Sequence, residues 1–371
     1  MTLDARPSPA STRPPLPTRR FGLTDMHFSR VGLGTWAMGG LGPKMTWGDA
    51  DDRASKASVL RAVELGINWV DTAAFYGWGH SEEVLGAAIA QLPEADRPYI
   101  STKCGLRWGL AERTVRVGTP ASIRWELDES LMRLGVEQID VYYVHWPPED
   151  ATPIEEYWGE LVDLRRRGKI RAAGLSNHTL AQVEAAEAVG HIDSLQPPFS
   201  AIDRDAAQDL IPWCLEHEVA VVNYAPMQNG LLTGTFSEQR VQQLADNDWR
   251  KTHANFTGEN LARNVALAEA MRPIADKHAT TVGCVAVAWT LAVPGVTAAI
   301  FGARQPAQVD SMVGAAGLEL DYEDMMAIAS AIDTTGAGRG PVFVPEAGGA
   351  GKGPAGADAA RHDGDISVAR R

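Results

Sequence analysis

Residues 139–176 read IDVYYVHWPPEDATPIEEYWGELVDLRRRGKIRAAGLS. Two short apolar runs, IDVYYVH and KIRAAGLS, flank a longer helical pattern, PIEEYWGELVDLRRRG. Strand, helix and second strand in this order make a βαβ unit, which implies a parallel sheet. The runs are apolar on successive positions, as strands buried on both faces are.

The same alternation extends in both directions. Upstream lie the strand-like runs SRVGLGTW, INWVDT and YISTK. Between them come RASKASVLRAVELG, a helix capped by Gly66, and SEEVLGAAIAQL, a helix with Ser81 expected as N-cap. TPASIRWELDESLMRLG follows, with Thr119 before Pro120 placing an N-cap ahead of a proline at the first helical position. Downstream the pattern continues through TLAQVEAAEAVG, IDSLQ, DAAQDLIPWCLEHE and VAVVNYA. Two helical patterns at 259–278 and 281–292 precede VTAAIFGA and PAQVDSMVGAAG. Eight βα units predict a closed (β/α)8 TIM barrel; an open doubly wound sheet is the alternative, disfavoured by the unit count. The stretch RRFGLTDMHFSR is expected to form an N-terminal hairpin across the barrel bottom.

The composition sets limits on the partners. The 371 residues carry a net charge of −13, which argues against nucleic acid or an anionic membrane as main partner. Cys104, Cys214 and Cys284 are far apart and odd in number, which suits a reducing cytoplasm. Arg19-Arg20 is followed by residues too polar for a signal peptide. Residues 1–19 and the Gly/Ala-rich stretch 347–371 are expected to be disordered tails around one ordered domain, 20–346. No HExxH or clustered His/Cys set occurs, so no metal is expected.

Gly32-Leu-Gly34-Thr-Trp-Ala37 fits the relaxed dinucleotide fingerprint G-x-G-x-x-A. That motif requires a helix to open in the loop. Here the loop continues as MGGLGPKMTWGD, so the Rossmann reading fails, and the glycines are expected to let backbone approach a ligand over the first strand.

The chemistry gathers at strand ends. Asp71, Tyr76, Lys103 and His145 follow three different runs, which a barrel brings to one mouth. An ammonium beside a phenol stabilises phenolate and strengthens the acid. Lys103 can do this for Tyr76, Asp71 can orient Lys103, and His145 can hydrogen-bond a substrate oxygen. Each alone has a structural reading, as an ion pair or as packing; four at one barrel face make a proton-donating site suited to carbonyl reduction. His80, next to the expected cap, is read as structural or solvated.

These residues sit in motifs that resemble the aldo-keto reductases: GLGTWAMGG, DTAAFYGWGHSEEVLG, STKCG, IDVYYVHWP, GKIRAAGLSNH, LQPPFSAIDR, YAPMQNGLLTG and FGARQPAQV, in family order over residues 20–345. WGDADD, NDWR and GPVFVP bring the resemblance nearest to the bacterial general stress and vegetative branch. It implies NADPH bound without a Rossmann fold, Tyr76 as general acid, Lys103 lowering its pKa, Asp71 pairing with Lys103, and His145 orienting the carbonyl. It implies cofactor contacts at Gly34, Thr35 and Trp36. Ser176, Asn177 and Gln196 would hold the carboxamide, and Tyr224 would stack on the nicotinamide. Pro226, Gln228, Gly230 and Leu231 would lie along the pyrophosphate. Gly302, Arg304 and Gln308 would meet the far end, with Arg304 on the 2′-phosphate and Gln308 facing adenine. Many members carry a second basic residue beside this arginine, and an Asn four positions after the glutamine. This chain has Gln305 and Met312 there, which weakens the case for NADPH over NADH.

Trp36, Trp78, Trp108 and Trp146 follow the first four strands and are expected to wall an apolar substrate pocket, with Phe343 folding back over it. Trp69, Trp158 and Trp289 are assigned to the core. The expected substrate is a small neutral carbonyl compound and the expected assembly a monomer or weak homo-oligomer. Two other classes stay open: a nucleotide-sensing binding module on the same fold, and a phosphate-binding barrel without redox function.

Overall fold

The computed structural model describes residues 15–40, 50–108, 114–244 and 248–343. The expected tails lie outside the described residues except for 15–19, of which Thr18 and Arg19 already belong to a strand.

β1 (Thr18–Arg20) and β2 (His27–Ser29) pair antiparallel as the expected hairpin. The barrel strands are β3 (Val31–Gly34), β4 (Trp69–Asp71), β5 (Tyr99–Cys104), β8 (Ile139–Val144), β9 (Ile170–Ser176), β10 (Ser194–Gln196), β11 (Ala220–Asn223) and β12 (Val296–Gly302). They close in the order β10-β11-β12-β3-β4-β5-β8-β9, every pair parallel. β6 (Leu106–Trp108) and β7 (Thr114–Arg116) form a second hairpin between β5 and the following helix, which the repeat pattern did not indicate.

The helices are α1 (Asp52–Glu64), α2 (His80–Ile89), α3 (Pro120–Leu134), α4 (Ile154–Arg166), α5 (Leu180–Glu187), α6 (Leu210–Glu216), α7 (Glu238–Gln242), α8 (Gly258–Ala270), α9 (Arg272–Lys277), α10 (Val282–Ala292), α11 (Pro306–Met312) and α12 (Tyr322–Thr335). Thr119 caps α3 as expected, its side chain accepting from the Ser122 N–H. Ser81 does not cap α2. The helix starts at His80 from a left-handed Gly79, and the buried Ser81 hydroxyl instead donates to the Thr35 hydroxyl at 2.7 Å. No described helix is long and apolar enough to cross a membrane.

Two apolar layers hold the fold. The outer one lies between strands and helices and contains Trp158 and Trp289. The inner one fills the barrel with Trp69, Val141, Tyr143, Ala172, Val222, Ala298 and Ile300, closed below by Phe21, Met26 and Phe28 of the hairpin segment. Phe28 stacks on Trp69 with ring centroids 5.0 Å apart. This packing corrects the reading of the first glycines. A Cβ on Gly32 would lie 2.1 Å from the Trp69 indole, and one on Gly34 would lie 2.6 Å from Ile300 Cγ2. Both glycines make room for the interior of the barrel.

Candidate active site

Parallel strands of one barrel end at the same mouth, and that end carries the four expected residues. Lys103 Nζ donates to Asp71 Oδ2 at 2.6 Å and to the Thr72 carbonyl at 2.8 Å. The ammonium lies 5.3 Å from the centroid of the Tyr76 ring. His145 stands edge-on to that ring, centroids 5.8 Å apart. The Trp36 ring lies 6.4 Å from the same ring, tilted by 33°.

The electrostatics fix the protonation states. Loss of solvent around its hydroxyl, then the charge on Asp71, push the Tyr76 phenol well above its ordinary value. The expected downward pull from Lys103 is therefore outweighed: the ammonium is engaged by Asp71 and the Thr72 carbonyl. Burial also lowers Lys103, opposed by Asp71. His145 is held well below the usual imidazole value by burial, then by the Lys103 and Arg116 charges, so its ring is neutral near pH 7. Its Nδ1 is buried with no hydrogen-bond partner among the described residues. A bare lone pair there costs less than an unmatched N–H, which assigns the proton to Nε2 and makes that nitrogen a donor.

The residues expected around a nicotinamide form one network with the tetrad. Asn177, in a left-handed conformation at φ 61°, donates through Nδ2 to the His145 carbonyl at 2.9 Å and accepts at Oδ1 from the Tyr224 hydroxyl at 2.7 Å. The Ser176 hydroxyl donates to the Gln196 carbonyl at 2.8 Å, and Gln196 Nε2 donates to Asp71 Oδ1 at 2.8 Å. Such a set, with Tyr224 locked by its hydroxyl, could hold a nicotinamide, and the exposed Gly302, expected at the far end of the cofactor, has only the Gly34 carbonyl 4.0 Å from where a Cβ would be.

Other expected cofactor positions are used differently. Thr35 is buried, and its hydroxyl donates to the Asp71 carbonyl at 3.1 Å, latching β3 to β4. The Gln228 side chain turns inward and accepts from Ser200, and Leu231 lies in the core. What the segment after Pro226 presents outward is backbone: Gln228, Asn229 and Gly230 have φ of 45°, 54° and 102°, a run of left-handed residues. Gln308 Oε1 accepts from the backbone N–H groups of Arg304 (2.7 Å) and Gln305 (3.2 Å) and so caps α11. Arg304 is exposed at that rim.

The pocket tryptophans divide. Trp36 lies against Tyr76, whereas Trp146 lies under the Arg116 guanidinium at 4.6 Å. Trp78, with φ 57°, has a buried indole nitrogen without a partner among the described residues. Trp108 is 40% exposed on β6 and borders a cavity of about 30 Å³ with Trp125, Arg107, Arg133 and Glu126. Phe343 packs on the outer core, and Arg204, in the loop after β10, donates to the Gly340 and Pro341 carbonyls just before it, which returns the chain to the mouth end. His80 pairs with Asp52 at 2.8 Å and links α2 to α1. Sequence reasoning passed over Ser101, whose hydroxyl donates to Asp71 Oδ1 at 2.7 Å. Its spacing of two from Lys103 on a strand was the available signal.

The model of the Aldo/keto reductase family matches residues 30–333. The chain is 32% identical to aldo-keto reductase YhdN of Bacillus subtilis (strain 168), over 84% of this chain and 92% of that protein. It is 34% identical to the NADH-specific methylglyoxal reductase of Escherichia coli (strain K12), over 82% and 94%. Among solved structures, the glycerol dehydrogenase AKR11B4 from Gluconobacter oxydans superposes with a TM-score of 0.78 at 35% identity, covering 86% of this chain and 95% of that one. The family match spans most of the described barrel and includes all four mouth residues; the chain belongs to the aldo/keto reductase family.

Proposed function

We propose that this protein reduces small neutral aldehydes or ketones to alcohols, with Tyr76 as proton donor and NADPH as the reductant. The observation that carries the reading is the cluster itself: Lys103 on Asp71 at 2.6 Å, beneath a protonated Tyr76 and beside a neutral His145. Bound nicotinamide supplies hydride to the carbonyl carbon. His145 Nε2–H donates to the carbonyl oxygen and aligns it. The Tyr76 O–H bond breaks as its proton passes to that oxygen, and the phenolate left behind is balanced by Lys103. Asp71 keeps the ammonium in place. Positioned proton transfer of this kind is worth about 10²–10⁴-fold.

Among the described residues, the two cations that act on His145 are already paired, Lys103 with Asp71 and Arg116 with Glu149, which favours an uncharged substrate. Relatives named for methylglyoxal and for glycerol support a small, oxygen-rich one. NADH is a second reading for the cofactor. Gln308 already occupies the amides at the start of α11, and the Escherichia coli relative is NADH-specific.

The test is the loss of NADPH absorbance with a panel of aldehydes. Turnover is expected, and Tyr76→Phe should lower kcat by about 10²–10⁴-fold with cofactor affinity near wild type. Full activity in that variant would remove Tyr76 as the acid. Tight cofactor binding without turnover would make the protein a nucleotide sensor.

A further inference from the structure

Three side chains from two strands grip Asp71. Ser101 of β5 and Gln196 of β10 both donate to Oδ1, at 2.7 and 2.8 Å, while Lys103 of β5 donates to Oδ2 at 2.6 Å. Ser101 is the register partner of Asp71 across the β4–β5 ladder. Side chains two apart on a strand share a face, so Ser101 and Lys103 both point into the barrel. Thr102 between them points outward and donates to Glu82 at 2.6 Å. The same two residues hold Thr72 from both sides: the Thr72 N–H donates to the Ser101 carbonyl, and the Thr72 carbonyl accepts from Lys103, each at 2.8 Å. Thr72 starts the loop that carries Tyr76.

We propose that Ser101 is a positioning residue for carbonyl reduction: its hydroxyl fixes Asp71 Oδ1, so that the carboxylate meets Lys103 through Oδ2 alone and the ammonium keeps its charge directed at Tyr76. The inference rests on the reductase reading above. Without the hydroxyl, Oδ1 retains only Gln196. The carboxylate is then free to turn both oxygens on Lys103 and to carry more localised charge toward Tyr76. Both changes act in one direction: they disfavour phenolate and weaken the acid. The groups facing Asp71 are Lys103 of β5, Gln196 of β10, Tyr76 of the β4–α2 loop and Tyr143 of β8. The Tyr143 hydroxyl is engaged by Ser194 at 2.8 Å and does not compete for the carboxylate.

The experiment uses the full chain with NADPH and a small aldehyde. Ser101→Ala should lower kcat about ten-fold, the scale of one hydrogen bond to a charged group. KM and NADPH affinity should stay within about two-fold, because Ser101 touches neither ligand. The alkaline limb of the kcat–pH profile should move up by about one unit. Ser101→Thr, which retains the hydroxyl, should restore the limb. In an Asp71→Asn background Ser101→Ala should cost nothing further. A loss of kcat and Tm with an unmoved alkaline limb would assign Ser101 a purely structural role and overturn the proposal. So would a full ten-fold loss on top of Asp71→Asn. If the alanine variant does not fold, Ser101→Cys, similar in shape but a weaker donor, should give an intermediate limb; an unmoved one overturns the proposal equally. Absence of wild-type turnover would sink the reductase reading itself, whereas wild-type turnover with an unaffected Ser101→Ala sinks this inference alone.

Discussion

Tyr76 and His145 are both uncharged near neutrality, for different reasons. The phenol is held protonated by enclosure and by Asp71, and the imidazole is held neutral by burial and two nearby cations. A donor pair that stays neutral can meet a neutral carbonyl without first losing solvation of a charge. The choice of cofactor rests on a different residue. Arg304 is the cation beside the start of α11, where Gln305 and Gln308 fill the neighbouring positions. Arg304→Ala should weaken NADPH about ten-fold, as loss of a charge-assisted phosphate contact does, and leave NADH unchanged. Parallel fluorescence titrations with both cofactors check it; equal losses would mean that Arg304 does not read the phosphate. At this scale the tetrad was legible because each member follows an apolar run that had to be a strand. Thr35, Gln228 and Leu231 were not, because side-chain direction in a loop follows no period: their side chains turn into the protein, where Thr35 meets Asp71 and Gln228 meets Ser200.

Among the elements, β3 shows how a short motif can mislead. Gly32 and Gly34 match a phosphate-binding pattern, yet what they admit is Trp69 and Ile300. The missing helix excluded the Rossmann reading from sequence alone; the true reason for the glycines lies on β4 and β12, which only the closed barrel brings next to β3. Gly32→Ala should destabilise the protein by about 1–3 kcal/mol through overpacking, because the fully buried Trp69 cannot swing aside. Urea unfolding measures it, and pairing the change with Trp69→Leu should recover part of the loss. Wild-type stability in Gly32→Ala would show that β3 shifts freely. The eight repeats and the N-terminal hairpin were readable from hydrophobic runs and turn residues. The β6–β7 hairpin was not, since its three-residue strands are too short to show alternation. α12 lies beyond the eighth repeat, where unit counting gives no reason for another helix, although Met325, Ile328, Ala329 and Ile332 mark one apolar face.

At the scale of the whole molecule, two buried titrating groups set opposing pH dependences on stability. Glu126 of α3 accepts from the Gly105 N–H at 2.9 Å and from Ser122 at 2.8 Å, and burial pushes its carboxyl up to about 7 despite these bonds and the nearby Arg107 and Arg133. A raised folded-state value means that the folded protein keeps the proton where the unfolded chain has lost it. The stabilisation is complete below about 4.5 and is lost as pH rises through 7. His178 lies behind the Ser176–Asn177 network, bonded to the Ser176 carbonyl at 2.8 Å and the Tyr157 hydroxyl at 3.1 Å, and burial lowers it to about 4. Its contribution has the opposite sign: complete above about 6.5 and lost as pH falls through 4. Each amounts to roughly 3 kcal/mol, so between about pH 4.5 and 6.5 the two slopes nearly cancel. Glu126→Gln removes one of them. Its amide oxygen can still accept from Gly105, so the fold is retained. Relative to wild type the variant should gain roughly 3 kcal/mol between pH 5 and pH 8, because only the wild type must bury a charge at the higher pH. The variant should also show the uncovered His178 slope, losing stability steadily on acidification from pH 6.5. Urea unfolding of both proteins at several pH values between 5 and 8 measures the difference. A constant gap across that range would mean that Glu126 does not titrate there, and that the Gly105 anchor of the β6–β7 hairpin is insensitive to pH.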